Sequence, residues 1–109
     1  MGIFLSQMRM AEIIKYRSDL EYQIHLINAT KLDLSSQVNA MVGLEAEMDA
    51  DSPEKKALEK KKERLMQVEK SLDLQLQRYQ SQLEMINQEE QGVKQQLQTS
   101  IQRSFAALI

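Results

Sequence analysis

His25 is the only histidine in this 109-residue chain, and Glu21 precedes it by one helical turn, so an imidazole and a carboxylate could share one face as two metal ligands. A metal site needs three or four donors. The chain has no cysteine, no second histidine and no facing Glu-x-x-His, so a plain helix-surface histidine is expected and no cofactor is implied. Glu45, Glu47, Asp49 and Asp51 cluster before a turn signal, but the sequence implies no concave pocket in which they could act as general acid and base. No phosphate loop, nucleophile triad or dinucleotide fingerprint is present, so an enzyme is not expected. Lys55, Lys56, Lys60, Lys61, Lys62 and Arg64 form a basic block, interleaved with Glu54, Glu59 and Glu63. That spacing reads as an ion-paired, solvated helix face rather than a phosphate-binding surface. A net charge of −2 gives no general attraction to nucleic acid.

The first residues, Met1-Gly2-Ile3-Phe4-Leu5-Ser6, fit the N-myristoylation pattern, which requires a eukaryotic host. The packing alternative sets Ile3, Phe4 and Leu5 against Phe105, Leu108 and Ile109 as an apolar end cap, or inserts them into a neighbouring subunit. The apolar run is too short for a secretory leader, and no run approaches the roughly 18 apolar residues of a membrane span. Absence of cysteine fits a reducing or an oxidising compartment alike. Two locations stay open: outside the cell by way of a dedicated export machine, or the cytoplasm.

The elements that carry these residues are two long helices. Ala50-Asp51-Ser52-Pro53-Glu54 is the strongest punctuation in the sequence. Proline suits the first helical position because its missing N–H would be unpaired there, and Ser52 before it is a good N-cap; Asp51 with Glu54 is an alternative capping box. The expected layout is one all-α domain over 1–109, with helix one at about 3–49, a turn at about 50–53 and helix two at about 53–106. Gly43 is a weak spot near the end of helix one.

Ile13, Leu20, Ile27, Leu34, Met41 and Met48 recur every seventh residue on the first arm, and Leu58, Leu65, Leu72, Tyr79, Ile86 and Val93 do so on the second. A seven-residue apolar repeat keeps one stripe facing a partner helix. The two series mirror each other about Pro53, which predicts a coiled-coil-like antiparallel hairpin. Its rungs stack Met48 on Leu58, Met41 on Leu65, Leu34 on Leu72, Ile27 on Tyr79, Leu20 on Ile86 and Ile13 on Val93. Extending the ladder sets Ser6 opposite Ser100.

One seam does not absorb all the apolar side chains. Ile14, Tyr16, Tyr22, Ile24, Leu26 and Leu32 point in several directions around helix one, while Leu76, Leu83 and Leu97 lie on a flanking stripe of helix two, with Leu74 and Met85 elsewhere. At ~25 cal/mol per Å² of apolar burial against ~1–2 kcal/mol per ordered residue, an isolated hairpin is marginal. Oligomerisation is therefore expected, with Ile3, Phe4, Tyr22, Leu26, Leu76, Leu83, Leu97, Phe105 and Leu108 as candidate subunit contacts. The glutamine-rich second arm beyond Leu74 reads as a solvated face of good helix formers.

With its two arms, its Asp51-Ser52-Pro53-Glu54 turn and no cysteine, the chain resembles the needle and filament subunits of type III secretion systems, and is similar in size and shape to the WXG hairpins. It has no tryptophan for a WXG turn, and its arms are longer than a needle subunit's. The resemblance implies an exported subunit that stacks helically through apolar termini. The expected function is a self-assembling subunit of a filament, tube or needle-like structure. The alternative is a secretion chaperone or coiled-coil adaptor that takes another protein's helix as client.

Overall fold

The computed structural model describes residues 2–108; Met1, in the apolar run at the start, and Ile109, in the expected end cap, lie outside the described residues. The fold is an all-α helical hairpin. Two helices, α1 (Ile3–Glu45) and α2 (Pro53–Leu108), make up the described chain, with no strand among the described residues.

The turn forms where proline and serine place it. The Lys55 backbone N–H donates to the Ser52 Oγ at 3.2 Å, and Lys56 N–H donates to the Ser52 carbonyl at 3.3 Å, so Ser52 is the N-cap and Pro53 the first helical residue. The serine cap forms, rather than the Asp51–Glu54 box. At the other side of the turn α1 stops at Glu45, four residues short of the expected 49. Its end tightens into three-residue turns, with Glu47 N–H on the Leu44 carbonyl at 3.2 Å and Met48 N–H on the Glu45 carbonyl at 3.1 Å. Met48, expected on the helical stripe, sits in this bend and is half-buried there.

The chain divides into two compact units, Ile24–Arg78 and Met1–Gln23 with Tyr79–Ile109, each built from a stretch of both helices. In the turn unit Ile27, Leu34 and Met41 are buried on α1, and Leu58, Leu65 and Leu72 are half-buried on α2. In the terminal unit Ile13, Leu20, Ile86 and Val93 form one apolar cluster, against which Met10, Tyr79 and Leu83 pack.

A second row of seam positions is partly charged. In the terminal unit Arg17 pairs with Glu90, and in the turn unit Lys62 Nζ donates to Glu45 Oε2 at 2.8 Å. Arg17 comes four residues after Ile13 and Glu90 three before Val93; Glu45 comes four after Met41 and Lys62 three before Leu65. The two pairs therefore keep the same offset from the expected rungs, and each fixes the same register within its own unit. Lys31 pairs with Asp73 in the turn unit. Such pairs contribute little net energy where exposed, but a one-heptad slip would strand the low-exposure carboxylates of Glu45 and Glu90 without their cations.

Candidate functional site

The assembly contacts expected from sequence fall into two groups. Leu76, Leu83 and Leu97 are half-buried at seam positions of the hairpin itself, and Leu83 packs on the terminal cluster. They alternate along α2 with Lys62, Glu69 and Glu90, all of which are low in exposure and lie at the same heptad position. This corrects their placement on a flanking stripe, since the hairpin already uses them. Ile24 is likewise half-buried.

The remaining candidates are at the surface. Phe4 is 72% exposed, Phe105 65% and Leu108 87%, with Tyr22 and Leu26 also exposed and Ile3 half-buried. The expected end cap between the first residues and the last turns of α2 does not close, because residues 101–108 are all exposed. Met8, not singled out from sequence, is about half exposed in the same unit, as are Leu5 and Ile101. Ile101, Phe105 and Leu108, at i, i+4 and i+7, share one helix face, which is the sequence signal that groups Ile101 with the other two.

Between α1 and α2 of the terminal unit runs an open, largely apolar groove of about 530 Å³. Leu5 and Met8 form one wall, Gly92, Val93 and Gln96 the other, and Arg9, Glu12 and Glu89 the polar rim. Arg9 holds both carboxylates, donating to Glu12 Oε2 at 3.0 Å and to Glu89 across the helices. One guanidinium shared by two carboxylates leaves this rim net negative.

Other chemistry named from the sequence is not brought together. His25 and Glu21 are exposed, and no group of three or more His, Cys, Asp or Glu among the described residues is placed to hold a metal ion. Of the acids before the turn, Glu45 is committed to Lys62, while Glu47, Asp49 and Asp51 are exposed. In the basic block Lys62 makes the pair with Glu45, whose carboxylate holds the Lys62 ammonium above its ordinary pKa through their hydrogen bond. No helix among the described residues is long and apolar enough to cross a membrane. No family model, curated protein or solved structure matches this chain.

Proposed function

We propose that this chain is a self-assembling structural protein, the subunit of a helical filament, tube or needle-like assembly. The observation that carries the reading is the exposed apolar surface of the terminal unit. Phe4, Leu5, Met8, Ile101, Phe105 and Leu108 are left to solvent while the seam beside them is filled. Others, such as Leu32 and Leu74, are exposed in the turn unit, but exposed apolar side chains that lie beside one another, as at these termini, mark a contact with another molecule. Two helices joined by a proline-containing turn are also what the likeness to secretion needle subunits rests on, and with it the idea of export through a dedicated machine.

Electron microscopy of the purified chain over a concentration series, alongside light scattering, tests this. Regular filaments or tubes above an onset concentration are the expected result. Monomers at every concentration overturn it, and a small closed oligomer that opens to a helical client replaces it with the adaptor or chaperone reading.

A further inference from the structure

Gly92 lies far inside α2, where a glycine costs about 1 kcal/mol relative to alanine. Nothing within the described chain accounts for it. Its φ is not positive, and a Cβ built on it meets no atom within 4 Å. Gly43 is equally open, but it stands two residues from the end of α1, where a weak turn is tolerated. Gly92, by contrast, forms part of the wall of the apolar groove, beside Leu5, Met8 and Val93. A missing side chain there deepens a slot that the hairpin itself leaves open.

The same unit carries a segment of complementary form. Over residues 101–108 α2 is helical and exposed, with Ile101, Phe105 and Leu108 on one face and Arg103 as the sole charge. This is the i, i+4, i+7 anchor pattern of a helix that lies in an apolar groove. The segment is net positive and the groove rim net negative, so the two do not repel. At 3.6 residues per turn, Gln96 on the groove side and Ile101 on the stripe stand about 140° apart around α2. Groove and stripe thus open to different sides.

We infer that the groove at Gly92 receives the Ile101–Phe105–Leu108 face of a second copy of this chain, in a head-to-tail joint that each further copy repeats. This rests on the self-assembly reading and names its contact. Because donor and acceptor surfaces differ and face apart, the joint is heterologous and adds copies head to tail rather than closing as a two-fold dimer. Its size sets its behaviour. The three stripe residues with Leu5 and Met8 are half to nine-tenths exposed. At about 150–200 Å² per large side chain they offer roughly 500–600 Å² of apolar surface, or a joint on the order of 1,000 Å² in all. That is below the usual range of about 1,200–2,000 Å² for a stable pair. A joint of this size is weak, so copies pair and assemble through it only at high protein concentration.

The test uses two variants of the full chain, Gly92→Leu and Phe105→Glu. Both sites are exposed, and leucine is the better helix former at 92, so both variants should keep full helicity by circular dichroism. Each alone should raise the onset concentration for assembly by about tenfold or more, the scale of losing one large apolar contact from an interface core. Mixed in equal amounts, they should form pairs and go no further, because only the stripe of the first and the groove of the second remain intact. Sedimentation velocity reads the pair directly. Assembly of Gly92→Leu at the wild-type onset, or a mixture that stays monomeric, overturns the joint while leaving self-assembly standing. A wild-type chain that never assembles overturns both.

Discussion

Ser6 occupies a rung of the seam, is 0% exposed, and its Oγ has no hydrogen-bond partner. A buried hydroxyl without a partner costs about 1–3 kcal/mol, so Ser6→Ala should stabilise the chain by about 1 kcal/mol, read as a higher urea midpoint with unchanged slope. A loss of stability would mean that the hydroxyl is satisfied in solution. Lys62 gives a second residue-scale outcome. Its pKa is raised in the fold by the Glu45 hydrogen bond, so in alkaline solution the folded chain binds more protons than the unfolded one. The stabilisation is complete below the unfolded lysine value of about 10.4 and is lost as pH rises through the folded pKa. The ammonium keeps contact with solvent, so the effect is modest. Urea midpoints from about pH 10 upward should fall more steeply in wild type than in Lys62→Met. At neutral pH that variant should also be less stable, because Glu45 Oε1 is already buried without a partner and Oε2 would lose its own.

At the scale of the elements, the cap predicts that Ser52→Ala costs about 1 kcal/mol, since the Lys55 N–H would lose its acceptor and the first turn of α2 would fray. The check is thermal unfolding together with amide exchange at Lys55; unchanged exchange would remove Ser52 from the cap. The two helices and their turn were legible because Pro53, Ser52 and twelve apolar positions at sevenfold spacing all agree. The half-seam at Arg17, Glu45, Lys62, Glu69 and Glu90 was not. An apolar repeat cannot register charged positions, and with Lys62, Glu69 and Glu90 interrupting the row, Leu76, Leu83 and Leu97 looked like a separate stripe. Complementary charges at equal offset from the rungs, as in Arg17 with Glu90 and Glu45 with Lys62, are the signal that recovers it. The end of α1 was misjudged for a different reason. No strong stop precedes Ala50 in the sequence, and the tightening after Glu45 is a property of how the chain enters the turn. For the candidate site, the sequence named Phe4 and Phe105 as contacts but also allowed them to cap each other, which their exposure rules out, whereas the groove depends on where Gly92 meets Leu5 and Met8, which needs both helices in place.

At the scale of the whole molecule, the forces that hold each hairpin together and those proposed to join copies differ in kind, and salt separates them. The seam combines apolar rungs with ion pairs, while the proposed joint is built on Leu5, Met8, Ile101, Phe105 and Leu108 with little charge. At about 1 M salt the screening length falls to about 3 Å, which weakens interactions between exposed charges and leaves apolar burial intact. Assembly should therefore begin at the same or a lower protein concentration in 1 M sodium chloride than at low salt, and lower still in sulfate, which strengthens apolar burial. Cooling should act the other way, because apolar association weakens as temperature falls. Light scattering across a salt and temperature grid reads all three trends. If high salt instead dissolved the assemblies, the joint would be electrostatic, and the Lys55–Arg64 block facing the acids of another copy would have to replace the groove at Gly92 as the contact. The opposite trend would leave that block as a solvated face and place the burial of Phe105 at the centre of the array.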